Sequence, residues 1–179
     1  MKNLLYTARL ALTLLVITSL VAAALAGVNA LTKDRIAAIQ AEKTQKAISQ
    51  VLEGEVSQLT LTENTGIVRA AYESEYGYAI LVAPAGFGGE ITMMVGILKD
   101  GTVSGISIIS HAETAGLGSV AAQNSAKGEA FRGQFAGASG SVAVDKDGGQ
   151  IDSLTGATIS SRAITAGVNA ALEFYNTLG

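Results

Sequence analysis

The chain contains no cysteine and no tryptophan, and only one proline and one histidine. Without cysteine there is no disulfide framework, no Cys-ligated zinc and no iron–sulfur cluster. A thiol nucleophile and a cysteinyl link to a cofactor fall with it. The lone histidine, His111, rules out a histidine-rich metal site within one chain and leaves a Ser-His-Asp triad a single base to choose from. That triad also lacks its Gly-x-Ser-x-Gly elbow, so His111 reads as a loop histidine rather than a base. The Walker pattern is missing, and Gly86-Phe87-Gly88-Gly89 sits between expected strands and opens no helix, unlike a dinucleotide loop. Basic charge is scarce as well. From Asn29 onward, ten Lys and Arg face fifteen Asp and Glu, a net of −5. Duplex backbones demand a basic face, so nucleic acid is set aside.

What the chain does have is apolar residues, 49% of 179, with many of them in the first thirty positions. That length suits one domain plus an appendage. Leu10 to Val28 is a 19-residue run without charge, long enough for one bilayer crossing as a helix. Lys2 and Arg9 precede it, while Lys33, Asp34 and Arg35 follow, which favours the N-terminus inside and the domain outside. Ala24-Leu25-Ala26 has the small-x-small spacing of a signal-peptidase site. The run is longer than a usual leader core, so a retained anchor is the expectation. Residues 1–30 therefore read as a transmembrane anchor and 31–54 as a helical stalk. In the stalk Ile36, Ile39, Ala47 and Val51 recur at spacings near three and four, with Gly54 just past the end.

Beyond the stalk the pattern turns to strands, with no internal repeat and no low-complexity linker. Gln58–Leu61, Ile67–Tyr72 and Gly77–Val82 are rich in β-formers, Pro84–Gly89 is a turn, and Glu90–Leu98 reads as a buried strand. Lys99-Asp100-Gly101 marks a hairpin back into Val103–Ser110. The expected rest is a short helix near Val120–Asn124, an apolar clamp of Phe131 and Phe135, a strand at Val142–Val144 and a turn at Lys146–Gly149. A last helix runs from about Ser160 to Leu178, its Ala163, Ala166, Ala170 and Phe174 on one face. The class is α+β: an antiparallel sheet with flanking helices, preceded by one N-terminal transmembrane helix.

One stretch carries unusual chemistry. Asp152-Ser153-Leu154-Thr155-Gly156-Ala157-Thr158-Ile159-Ser160-Ser161 is a polar turn opening into the last helix. Ser160, Ser161 or Thr158 can cap that helix. The same first-turn N–H groups and the helix dipole also suit a phosphate, with Gly156 letting the backbone approach and the Thr158 hydroxyl at the edge. Taken alone, the stretch is either an ordinary capped helix start or a phosphate seat. A second glycine-rich polar loop, 111–119, can form the other wall of one pocket. Its Glu113 is either a cap for the helix after Leu117 or a ligand to a ring N–H. Lys146 and Asp147 read as turn residues.

The two stretches together resemble the covalent FMN-binding domain family. Asp152 to Ser161 is similar to its Asp-x-x-[Ser/Thr]-Gly-Ala-Thr-x-[Ser/Thr] signature. His111-Ala112-Glu113-Thr114-Ala115-Gly116-Leu117-Gly118 resembles its His-x-Glu-Thr-Pro-Gly-Leu-Gly stretch, with Ala115 in place of proline. Phe131 stands where the family often has tryptophan, and Lys146–Gly149 resembles the run before the signature. The resemblance covers about residues 65 to 175 plus the anchor, and is strongest to the G subunit of the Rnf electron-transport complex. It implies a phosphoester between the Thr158 hydroxyl and FMN, installed by a flavin transferase that uses FAD. It also implies Thr155, Gly156 and Ala157 around the phosphate, Glu113, Thr114 and Leu117 toward the isoalloxazine, and Gly118 and Lys146 in the cofactor-binding set. The expected protein is an inner-membrane, single-pass subunit with its FMN domain, 55–179, on the extracytoplasmic side. It would relay electrons among the other membrane and redox subunits of an ion-translocating ferredoxin:NAD oxidoreductase. The competing expectation is an anchored or secreted non-redox domain that binds a small anion or aids assembly.

Overall fold

The computed structural model describes residues 2–61 and 66–178, without the side chains of residues 2–5. The chain forms two compact units, residues 1–42 and 43–179. The first is the larger part of helix α1, Lys2–Val51. No proline interrupts it, and its apolar side chains have nothing of the protein against them: Leu14 is 64% and Leu20 70% exposed. A helix this long and apolar suffices to cross a membrane.

The second unit is built on a five-stranded antiparallel meander in the order β1 (Ser57–Leu59), β2 (Val68–Glu73), β3 (Gly77–Val82), β4 (Thr92–Leu98), β5 (Val103–Ser110). Register pairs Ile80 with Val95 and Ala79 with Gly96 across β3 and β4, and Val95 with Ile106 across β4 and β5. Side chains alternate between faces along each strand. Ile80, Val82, Met93, Val95 and Ile97 point to one side, where Phe131, Phe135, Ile164, Val168 and Leu172 complete the main core. Ala79 and Met94 point to the other, against Ala47, Ile48, Val51 and Leu52. Thus the segment expected as stalk is not all stalk: the last turns of α1 are a core element of the second unit. With both faces of the sheet covered, β4 is buried almost throughout, as its unbroken apolar run requires.

The seat for α1 is made by small residues. At Gly96 a side chain would run into the Ser104 hydroxyl and the Val51 carbonyl, which are hydrogen-bonded to each other. We expect Gly96→Ala to lift the end of α1 from the sheet and to cost about 1–3 kcal/mol, read as a lower urea midpoint of the second unit.

Several expectations shift. Helix α2 (Ala126–Gly133) lies where only an apolar clamp was read; Ser125 caps it, accepting from Gly128 N at 3.3 Å. The clamp itself is present, with Phe131 and Phe135 buried and their rings edge-on at 5.6 Å. The short helix after the 111–119 loop is a 3-10 helix at Gly118–Ala122. Val142–Val144 is not a strand. Only Val144 bridges Ile151, because the Asn169 side chain satisfies both the N–H and the carbonyl of Val142 at 2.8 Å. Helix α3 runs Thr158–Tyr175. Its packed stripe is Ile164, Val168, Ala171 and Leu172, while Ala166, assigned to the inner face, is exposed. The bulkier apolar stripe has more surface to bury, so it turns inward.

Candidate functional site

The turn before α3 is made by Thr155 and Gly156. Ala157 N donates to Leu154 O at 2.9 Å, and Gly156 takes φ +74°, a region that favours glycine. A side chain there would also press on Leu117, which lies 3.2 Å from where a Cβ would stand. The two motif stretches are thereby in contact across the sheet's end.

They enclose a cavity of about 340 Å³, in the size range of small-molecule sites. Glu113, Thr114, Leu117 and Gly118 form one wall. Gly156, Ala157 and Thr158, with Ile159 and Ser160, form the opposite one, and Phe87 closes a third side. Seven of the nine expected cofactor residues thus line one cavity. The other two do not. Thr155 is exposed on the turn, and Lys146 lies on the 3-10 turn Asp145–Asp147, paired with Asp145 at 3.1 Å. Phe87, Ile159 and Ser160 were not among the expected ligands. Phe87 is 67%, Ile159 51% and Leu117 42% exposed. Three bare apolar side chains around one cavity mark a surface for a ligand or partner. An aromatic flanked by glycines in 86–89 was the available signal for Phe87.

Beneath this rim the hydroxyls divide sharply. Ser161 Oγ donates to Ala157 O and accepts from Leu154 N, each at 3.0 Å. Ser160 Oγ donates to Glu113 Oε2, and Thr165 Oγ1 donates to Ser161 O at 2.9 Å. Thr158 Oγ1 alone among these has no partner among the described residues. As the first residue of the helix it has no helical carbonyl one turn back to bond. Contrary to the capping expectation, no side chain caps α3; Ala157 is its N-cap. The serines are not caps because the helix already starts at Thr158, which puts both inside its first turn. The first-turn N–H groups are therefore without a side-chain acceptor, in residues that line the cavity.

Glu113 is buried, at 8% exposure. Its Oε1 accepts from Gly88 N at 2.9 Å while Oε2 takes the Ser160 hydroxyl. It does not cap the helix after Leu117, where no side-chain cap exists. Instead it ties three segments together: the 86–89 turn, the 111–119 loop and α3. Neighbouring Gly86 and Gly118 leave it that space, since a Cβ on either would meet a carboxylate oxygen. His111 Nδ1 accepts from Glu113 N at 3.2 Å, a local loop contact rather than a catalytic pair.

Behind the motif, two acids brace the turn. Asp145 Oδ1 accepts from Ser153 N at 3.0 Å, and Asp147 receives a forked pair of bonds from Arg162 of α3. Hydrogen bonding from Ser153, aided by Lys146, holds the Asp145 carboxyl well below the usual carboxylate range. A depressed folded pKa stabilises above the unfolded carboxylate value, about 3.9, and that stabilisation is lost as pH falls through the folded value. We therefore expect Asp145→Asn to lower the urea midpoint at neutral pH and the gap to narrow in acid below about pH 4; a gap independent of pH would refute the assignment.

Known proteins match on both halves. Residues 86–173 match the FMN-binding domain family, and residues 1–51 match the RnfG N-terminal region. The G subunit of the ion-translocating oxidoreductase complex of Aliivibrio fischeri (strain MJ11) is 33% identical over 168 residues, which cover 83% of this chain and 80% of that protein. The chain belongs to this family of G subunits. The G subunit of the proton-translocating ferredoxin:NAD(+) oxidoreductase complex of Clostridium ljungdahlii is 40% identical over 104 residues, 56% of this chain and 54% of its own. The Na(+)-translocating counterpart of Acetobacterium woodii is 36% identical over 110 residues, 57% and 50% of the two chains.

The cavity of this family member fits an FMN. Its lining offers apolar surface for a flat ring system in Phe87, Leu117 and Ile159, and the first residues of a helix that no side chain caps, which suit a phosphate. The unpartnered hydroxyl belongs to Thr158, a residue of the same lining.

Proposed function

We propose that this chain is a membrane-anchored flavoprotein subunit that relays electrons within an ion-translocating ferredoxin:NAD oxidoreductase complex, through FMN joined by a phosphoester to Thr158. The observation that carries the linkage is the free Thr158 hydroxyl at the cavity edge, in a helix whose other hydroxyls near the turn are all engaged. Membership of the G-subunit family and the FMN-binding match support the redox role. FMN, when bound, supplies the one- and two-electron chemistry. The chain's own residues hold it. A phosphodiester keeps one negative charge, and the N-terminus of α3 favours it by about 0.3–1 kcal/mol. Phe87, Leu117 and Ile159 shield the apolar part from water, while Glu113, Thr114 and Gly118 shape the wall beside the ring. Lys146 and Asp145 brace the turn from behind.

Attachment requires a flavin transferase that uses FAD. The test is a denaturing gel under ultraviolet light after co-expression with that enzyme. A fluorescent band at the chain's mass supports the reading; a dark band favours a non-redox anion-binding or assembly domain. The positive residues before the apolar run support an extracytoplasmic FMN domain. Protease added outside sealed, right-side-out vesicles should then digest the domain. Protection there, with digestion only from the cytoplasmic side, would reverse the orientation.

A further inference from the structure

A second cavity, of about 380 Å³, lies along β5, between the end of α1 and the α2 region. Its wall carries Lys43 and Lys46 from α1 and Arg132 from α2, with Gln50, Ser107 and Asn124 as polar neighbours. No carboxylate lines it. This is notable in a domain whose acids outnumber its bases. Among the described residues, the ion pairs are Arg69–Glu90, Lys146–Asp145 and Arg162–Asp147, so these three cations have no acidic partner of their own.

The three are not loosely scattered. Lys43 and Lys46 stand three residues apart and so on one helix face. Arg132 is fixed in place, its Nη1 donating to Ala121 O and to Gln123 O, the latter at 3.0 Å. Those bonds leave the rest of a planar fork available, the geometry that carboxylates accept. Ser107 donates to Gln50 Oε1 at 2.7 Å, which orders the floor between them. Acids outnumber bases over the domain, whereas the charged residues lining this concave, polar cleft are all cations.

We infer that this cleft docks an acidic polypeptide segment of another subunit of the complex, Asp or Glu carboxylates pairing with Lys43, Lys46 and Arg132. It is separate from the FMN cavity, sharing no lining residue with it. The inference rests on the chain being one subunit of a complex. If the chain co-purifies with no other subunit, that reading fails; if it co-purifies with Lys43 and Lys46 unprotected, only the docking fails.

The experiment is lysine acetylation of the detergent-solubilised complex and of the full-length chain alone, read by peptide mass spectrometry. Lys43 and Lys46 should react several-fold more slowly in the complex, with Lys99 unchanged. Carbodiimide should join Lys43 or Lys46 to an Asp or Glu of another subunit. Equal reactivity in both samples, or cross-links only within this chain, overturns the proposal. So does equal protection of the isolated chain by inorganic phosphate, which would make the cleft a small-anion site. The double variant K43E/K46E changes two exposed side chains and should lose co-purification at low salt while keeping the far-ultraviolet circular dichroism of the parent.

Discussion

The Thr158→Ala chain, co-expressed with a flavin transferase, should carry no flavin: a dark band on a denaturing gel and an intact mass equal to the unmodified polypeptide. This is an all-or-none effect, since a phosphoester needs an oxygen and alanine has none. The neighbouring hydroxyls are poor substitutes. Ser160 is 2% exposed and bonded to Glu113, and Ser161 is fully buried and bonded to Ala157 O. Either would have to break a buried hydrogen bond to reach a phosphorus atom. The variant should nevertheless fold as the parent does, with a urea midpoint shift equivalent to less than about 0.5 kcal/mol. The reason differs from the one the motif suggests. Alternative serine caps do not rescue the helix, because no side chain caps it; the Thr158 hydroxyl makes no hydrogen bond among the described residues and so has none to lose. An adduct mass retained on the variant would move the attachment elsewhere.

How much of this is legible in the chain follows from the range of each interaction. The β3–β4–β5 meander is readable because strand alternation, Asp100-Gly101 and the Pro84–Gly89 turn are local signals. The pairing of the 111–119 loop with the 152–161 turn is readable from motif and glycine content, and both do line one cavity. What escapes are features decided by distant partners. Ser160 looks like a cap, but the helix begins two residues before it, and Glu113, 47 residues away, takes its hydroxyl. Val142 looks like a strand residue until Asn169 occupies its backbone. Lys146 looks available to a phosphate until Asp145, itself held by Ser153, anchors it. Phe87 and Ile159 carry no chemistry in isolation and become site residues only where three segments converge. The cover of the sheet's second face by Ala47–Leu52 is likewise invisible in a helix whose periodicity says only that one side is apolar.

Glu113→Ala should be the most damaging single change in the site to stability. It leaves the buried Ser160 hydroxyl without its acceptor, at about 1–3 kcal/mol, and frees Gly88 N on an exposed turn, where water can replace the lost bond at smaller cost. It also vacates the space that Gly86 and Gly118 keep clear. The urea midpoint should fall accordingly, and the 86–89 turn carrying Phe87 should become protease-sensitive. Glu113→Gln separates the clamp from any contact with the flavin. Its amide oxygen can still accept from Gly88 N while its N–H donates to the Ser160 oxygen in place of the bond lost, so a smaller loss than in Glu113→Ala is expected. Ser160→Ala removes one arm of the same clamp and should cost about 1 kcal/mol, with Gly88 still held. If Glu113 acts on the flavin only by positioning the loops, the flavin's reduction potential should follow stability across the three variants. A shift in Glu113→Gln with none in Ser160→Ala would instead place the carboxylate against the ring. Parent-like stability in Glu113→Ala would contradict the clamp itself, because the buried Ser160 hydroxyl cannot lose its acceptor without cost.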